Sequence, residues 1–342
     1  MKIAIICQYL PSGGKFGVGY QVSAFADELC KRGWDVTVIS RYTACPGALY
    51  ECKTISCGDR WSVFRFAMKM RAMNWSEYDI LHAFTDDFLL FHKVTPPHVR
   101  TMSGSSLMEA VHIAGAKEKA RMLFLWMTEW VSCFVANRVV CISENTRHSF
   151  PWLSDVVPCG VDLTVFHPSS ERAPFPVVLF VGSWKWRKRG RLLMDIFDAQ
   201  IRPAIPNAQL WMVCEDAPDA PGVIQFGKPD TQSLAQLYRQ AWVFCLPSTY
   251  EGFGIPYVEA MASGLPVVAT PNLGAKEVLG NGSYGVVCDT KRLGDEIIHL
   301  LSDKAAREEL SEKGLKRARD FDLQNVVSAY EKLYLQLLSG EA

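Results

Sequence analysis

The sequence predicts two α/β domains, each a doubly wound parallel sheet. Three observations predict it. The 342 residues exceed one ordinary core and suit two domains of roughly 150 residues each. Short, continuously apolar runs such as VVLFVG recur, as strands buried on both faces require. Helical segments alternate with them, Gln21–Arg32 and Ser233–Gln240 among them, which is βαβ order.

In chain order, the first half offers strands at Lys2–Tyr9, Asp35–Ser40, Ile80–Phe84, Val99–Met102, Arg138–Ile142 and Asp155–Val157. The second offers Val177–Val181, Gln209–Cys214, Val223–Phe226, Val243–Leu246, Pro266–Thr270 and Gly285–Cys288. HPSSERAPFP, rich in Pro and Ser with no apolar period, reads as the boundary. The domains are then 1–167 and 176–320, and an amphipathic helix over 323–338 crosses back to complete the first. Ligands of open α/β sheets bind outside the carboxyl ends of the strands, and domain interfaces favour pockets. The expected site is therefore a central cleft faced by both domains and built from the loops that follow strands.

Composition narrows the function. Lys plus Arg and Asp plus Glu are both 36, so the net charge is zero, which argues against a nucleic-acid partner. The start MKIAIICQYLPSGG reads as a first strand entering a loop rather than an export signal. Met122–Ile142 is the most apolar long window, but Glu129, Asn137 and Arg138 interrupt it, so it reads as a packed helix and then a strand. The apolar, aromatic face of Leu123–Trp130 leaves peripheral membrane contact open. There are 11 cysteines, and Cys7, Cys141, Cys214, Cys245 and Cys288 fall in predicted buried strands, as in a reduced cytoplasmic protein. Cys45, Cys52 and Cys57 share a loop without standard metal-ligand spacing.

Three loops carry chemistry. After the first strand, Gly13, Gly14, Gly17 and Gly19 allow backbone N–H groups to approach an anion or sugar ahead of a helix. The order is neither GxGxxG nor GxxxxGK[ST]. After Val181, Lys185, Arg187, Lys188, Arg189 and Arg191 gather where the chain leaves a strand for a helix, a phosphate-binding position. Fixed cations there would stabilise a departing diphosphate. After Leu246, STYEGFGIPYVEAMASGLPVVAT sets Glu251 and Glu259 around a Gly-rich turn, with Pro256 as first helical residue and Glu259 in the first helical turn. Carboxylates accept hydrogen bonds from sugar hydroxyls, so the pair suits a nucleotide sugar: one for ribose, one for hexose.

EGFGIPYVE, the LAQLYRQAWVFCLPSTYEGFG segment that precedes and enters it, PSGGKFGVG, KRGWDVTVIS, DILHAF, CISENTR, CGVDLTVF and WRKRG together resemble the retaining glycosyltransferases of family 4, over nearly the whole chain. The resemblance implies the GT-B architecture, two Rossmann-like domains facing a cleft. It implies transfer of a hexose from a nucleoside-diphosphate sugar, of UDP or GDP type, to an acceptor hydroxyl with retention. The acceptor would be a carbohydrate, a lipid-linked glycan or a small molecule. Carried over by position, Lys188, Arg189 and Glu251 are catalytic. Gly13, Gly14, Ser183, Arg187, Ser248, Phe253, Gly254, Ile255 and Glu259 bind the donor. Ser103 and Gly104 stand at the acceptor or sugar contact.

Two positions depart from the family. Ser183 stands where an arginine is common, and Ser103 where a histidine is common; a serine cannot carry a proton in the same way. The only DxD, Asp320–Phe321–Asp322, precedes the last helix, where Asp322 suits an N-cap. No metal or other cofactor is expected. A catalytically weak GT-B protein that binds nucleotide sugar or glycan is the alternative that Ser103 supports. A nicotinamide dehydrogenase lacks its glycine fingerprint, and a phosphorylase lacks a convincing cofactor lysine.

Overall fold

The computed structural model describes residues 1–13, 17–59, 61–91, 96–113 and 115–340. The chain forms two compact units: residues up to Gly160 together with those from Leu323 onward, and Val161–Asp322.

In the first unit the elements run β1 (Lys2–Ile6), α1 (Gly17–Lys31), β2 (Asp35–Ser40), β3 (Glu51–Thr54), α2 (Ser62–Ala72), β4 (Ile80–Ala83), β5 (His98–Met102), α3 (Ser106–His112), α4 (Ala116–Val135), β6 (Arg138–Cys141), α5 (Glu144–His148) and β7 (Asp155–Val156). Among the described residues these strands form one sheet in the order β3-β2-β1-β4-β5-β6-β7, every pair parallel. Alternation sorts the side chains. Ile3, Ile5, Val36 and Val38 pack with Phe25 and Leu29 of α1, whereas Ala4, Ile6, Leu81 and Ala83 pack with Phe66 and Met70 of α2. β3 was not expected, since Glu-Cys-Lys-Thr has no apolar run. It is a half-exposed edge strand held through β2.

The second unit contains β8 (Val177–Val181), α6 (Gly190–Ile196), α7 (Arg202–Ala204), β9 (Gln209–Val213), β10 (Val223–Gln225), α8 (Thr231–Gln240), β11 (Val243–Leu246), α9 (Ile255–Ala262), β12 (Val267–Ala269), α10 (Leu273–Val278), β13 (Val286–Val287), α11 (Leu293–Ser302) and α12 (Lys304–Ala318). Its described strands are again all parallel, in the order β10-β9-β8-β11-β12-β13.

The chain returns to the first unit as α13 (Leu323–Ser339). Tyr330 and Tyr334 of α13 are buried against the sheet. His82 Nδ1 shares a 2.5 Å hydrogen bond with the Tyr334 hydroxyl, and Nε2 one of 2.7 Å with Thr101 Oγ1. Thr101 in turn meets the Tyr330 hydroxyl at 2.8 Å. At the rim, Arg32 donates to Glu331 at 2.6 Å and the Trp34 indole donates to the same carboxylate at 2.8 Å.

The expected boundary at 167–176 lies inside the second unit instead. Arg172 donates to the Ala241 and Gly264 carbonyls at 2.7 and 2.8 Å, and the Ala173 N–H donates to the Gln240 carbonyl at 2.9 Å. Proline and serine made this stretch look like a linker, but its backbone is pinned along the second core.

Candidate active site

In the second sheet the strand order reverses between β8 and β11. Such a switch point is where an open α/β sheet leaves a crevice for a ligand. The basic turn follows one of these strands and the Glu251 loop follows the other.

The basic turn is tightly built. A short 3₁₀ turn, Trp186–Lys188, links β8 to α6, with Trp186 and Arg189 both in the left-handed region at φ 67° and 56°. Gly182 matters here for its missing side chain: a Cβ would lie 2.6 Å from Lys188 Cδ, so glycine lets the lysine stem cross the end of β8. Lys188 Nζ reaches Glu251 Oε1 at 3.1 Å, and Arg187 Nη1 reaches Oε2 at 3.0 Å. Arg187 also donates to the Tyr250 carbonyl at 2.9 Å, and its own carbonyl accepts the Thr249 N–H at 2.8 Å. Ser248 donates to Glu251 Oε1 at 2.6 Å. Burial alone would raise the Glu251 carboxyl, but Lys188, Arg187 and the Ser248 hydroxyl together hold it below the ordinary value.

The Glu251 loop is clamped from behind. Asn272 Nδ2 donates to the Ser248 carbonyl at 3.2 Å and Thr270 Oγ1 to the same oxygen at 2.8 Å. Gly274 sits so close to the Glu251 and Phe253 carbonyls that a Cβ would fall 2.8 and 2.5 Å from them. Gly254, at φ 104°, is the residue before α9, and a Cβ there would lie 2.4 Å from the Tyr257 ring. Only glycine fits this turn on both counts.

Glu259 is one full turn into α9, which begins at Ile255 with Pro256 second. It was expected in the first turn; the earlier start of the helix moves it inward, so helix-dipole stabilisation does not account for it. The Tyr238 hydroxyl of α8 donates to Glu259 Oε2 at 2.9 Å. Burial lifts the Glu259 carboxyl to about 7, against the opposing pull of Tyr238 and Lys188.

The structure thus brings Arg187, Lys188, Ser248 and Glu251 together. Arg189 is turned aside: its Nη2 donates to Thr290 Oγ1 at 2.7 Å, and burial lowers its guanidinium pKa. Ser248 is completely buried behind Glu251, so it positions that carboxylate and does not face a ligand. Phe253 packs edge-on to Phe321 at 5.4 Å, which leaves only its backbone for the turn it shares with Gly254 and Ile255. Ser183 is exposed and donates to the Lys185 carbonyl at 2.8 Å. In the first unit, Gly13 closes a turn where a Cβ would collide with the Tyr42 ring at 2.4 Å. Gly14 lies outside the described residues. Ser103 is exposed after β5, beside Gly104 at φ 145°. Sequence reasoning missed Tyr238, Asn272 and Thr290, whose roles come from tertiary contact and have no local signal. Among the described residues no group of three or more His, Cys, Asp or Glu could hold a metal ion.

The model of the family "Glycosyl transferases group 1" matches residues 175–303, which contain the basic turn and both glutamates. Phosphatidyl-myo-inositol mannosyltransferase of Mycobacterium leprae is 24% identical over 375 residues, covering 98% of this chain and 96% of that protein. Among solved structures, sucrose-phosphate synthase from Thermosynechococcus elongatus superposes with a TM-score of 0.83 at 22% identity, covering 99% of each chain. HepE from Anabaena, solved with UDP-glucose, gives 0.75 at 17% identity, covering 99% of this chain and all (100%) of that one. The chain has the GT-B fold, and the match over residues 175–303 supports a glycosyltransferase of the family 4 type.

Proposed function

We propose that the chain moves a hexose from a nucleoside-diphosphate sugar to an acceptor hydroxyl with retention and without a metal. The observation that carries this reading is the arrangement of Arg187 and Lys188 around Glu251 at the switch point of the second sheet. Two cations converge on one carboxylate at this strand end, the kind of position where a diphosphate is held. Both cations are already oriented, which is how a site stabilises charge that develops on a leaving group. Glu251 contacts the hexose, and Glu259 takes the ribose hydroxyls from its place beside Tyr238. Phe253, Gly254 and Ile255 supply backbone at the phosphate turn, at the positive N-terminal end of α9. Arg189 supports the turn through Thr290. Gly13, Gly14, Ser103 and Gly104 belong to the acceptor-side unit. With Ser103 at the place of a proton-carrying histidine, the departing phosphate accepts the acceptor's proton.

The donor carries UDP or GDP, in keeping with the UDP-glucose in the Anabaena structure. A screen of UDP, GDP and ADP by thermal shift tests this, since a ligand at one hundred times its Kd adds about 2.7 kcal/mol. UDP or GDP should raise the melting temperature, and Glu259→Ala should remove most of the rise. No rise with any of them would overturn the donor reading.

The acceptor is lipid-linked and the protein works at the cytoplasmic face of a membrane. The outward face of α4 supports this. Leu123, Met127 and Phe134 are 44, 54 and 72% exposed, and Trp152 beside them is 44% exposed. The Trp130 and Trp152 rings lie 4.3 Å apart, tilted at 54° to one another, extending the aromatic surface. Lys117, Lys119 and Arg121 stand exposed in the first turns of the same helix, and cations beside an apolar face favour an anionic lipid surface. No helix among the described residues is long and apolar enough to cross a membrane. The cysteines are all free, as a reducing compartment keeps them. Flotation with phosphatidylglycerol and phosphatidylcholine vesicles should succeed for the wild type and fail for Met127→Glu with Phe134→Glu. Equal flotation of the two would remove this reading.

A further inference from the structure

The first sheet reverses its strand order between β1 and β4, and Gln8 and Asp86, just past those strands, carry buried polar atoms without a partner among the described residues. Gln8 is fully buried, yet among the described residues neither its amide nitrogen nor its amide oxygen has a hydrogen-bond partner. Asp86 holds φ at 54°, in the left-handed region, and its buried Oδ2 is also without a partner. Arg100 Nε and Ser105 Oγ are also buried without a partner among the described residues, and next to Arg100 the His98 Nε2 lies 3.1 Å from Asp87 Oδ2. Buried polar groups in native proteins are nearly always hydrogen-bonded, so a cluster of exceptions calls for an occupant.

Register puts Gln8 and Arg100 on one face of the sheet, and Asp86 feels the Arg100 charge. Ile6 lies beside Ala83 and Ala83 beside Arg100. In-register parallel neighbours face the same side, so Gln8, two residues past Ile6, faces the side of Arg100. The Gln8 N–H donates to Thr85 Oγ1 at 2.7 Å, which ties it to the residue before Asp86. Arg100 Nη1 donates to Asp87 Oδ1 at 2.8 Å, and Ser132 donates to the same oxygen at 2.6 Å, so Asp87 is engaged. Asp86 is hydrogen-bonded by Thr85 and keeps only Oδ2 without a partner among the described residues; burial pushes its carboxyl to about 7, opposed by Thr85, Arg100 and Arg41 and helped by Asp87.

We propose that Gln8, Asp86 and Arg100 form a hydroxyl-recognition subsite that binds a polyol portion of the acceptor. Asp86 Oδ2 accepts from one acceptor O–H, the Gln8 amide accepts from one hydroxyl and donates to another, and Arg100 Nε donates to a third oxygen. A hydroxyl both donates and accepts, which is what an amide beside a carboxylate asks of its partner. A phosphate would meet Asp86 and Asp87 at once and be repelled. An apolar group would leave all three unpaired. The proposal rests on the glycosyltransferase reading of the second unit, which supplies the reaction that this hydroxyl enters.

Saturation-transfer NMR on the full chain tests it, with methyl α-D-mannoside, methyl α-D-glucoside and myo-inositol as probes and UDP or GDP as internal reference. The expected result is saturation of at least one polyol in the wild type, lost at least tenfold in Gln8→Leu and in Asp86→Asn, with the nucleotide signal kept. Gln8→Leu should also melt at the same or a higher temperature, because it replaces an unpaired buried amide by an apolar group. A structural role would lower it. Loss of the nucleotide signal in the wild type would count against the donor reading and not this subsite. An unchanged polyol signal in both variants, or no polyol signal beside a clear nucleotide signal, would overturn the subsite.

Discussion

The two units place their polar groups at the same topological position and treat them in opposite ways. At the switch point of the second sheet, Glu251 has both oxygens engaged by Lys188, Arg187 and Ser248, and its pKa is depressed. At that of the first sheet, Gln8 and Asp86 keep unpartnered atoms, and the Asp86 pKa is raised. The difference teaches what each sheet edge is prepared to meet. Fixed, paired cations need no rearrangement when a diphosphate leaves. Unpaired acceptors wait for hydroxyls that complete them.

The largest expected effect breaks the paired side. Arg187→Ala with Lys188→Ala strands Glu251 in a nearly closed site. Losing the partners of a buried charge costs about 3–5 kcal/mol, and Arg187 is exposed enough that the lower end applies. Transfer should fall by about 100-fold, the scale of lost transition-state donors. Adding Glu251→Gln should recover stability in urea melts without recovering rate. Recovery of both would make the trio structural only.

A mid-sized effect sharpens the unpaired side through pH. The folded Asp86 keeps its proton up to about pH 7, whereas an unfolded aspartate loses it near 4. The folded state therefore binds more protons between these values, and its stability falls as pH rises through them. The stability of Asp86→Asn minus that of wild type should thus grow by about 1–3 kcal/mol from pH 4.5 to 8. Glu251 has the opposite sign: its depressed pKa gives stability that is present at neutral pH and lost on acidification. A flat difference for Asp86→Asn would place that carboxylate in solvent.

The smallest effect lies where both sheets have ordinary, satisfied hydrogen bonds. Tyr334→Phe removes a partner of buried His82, and should cost about 1–2 kcal/mol in urea melts while leaving nucleotide affinity unchanged. A change in nucleotide affinity would couple α13 to the donor site.

Much of this was legible in the chain. Continuous apolar runs announced both sheets, because strands buried on two faces admit nothing else. The Glu251 loop was legible because its glycines are obligatory, at Gly254 by backbone and at Gly274 by the carbonyls packed against it. The edge strand β3 was not, since Glu51 and Lys53 carry no apolar signal. Nor could the sequence divide labour between adjacent cations. Lys188 and Arg189 diverge because Arg189 takes a left-handed backbone, which sends one side chain to Glu251 and the other to Thr290. The unpartnered atoms of Gln8 and Asp86 have no sequence signature at all, because an unpaired buried atom is a property of packing.

Calorimetric titration of the full chain with UDP and GDP tests the central claim most directly. The account predicts that one of them binds, and that Lys188→Ala and Glu259→Ala each weaken it at least tenfold while both variants remain folded. Binding of neither nucleotide, or wild-type affinity in both variants, would contradict it.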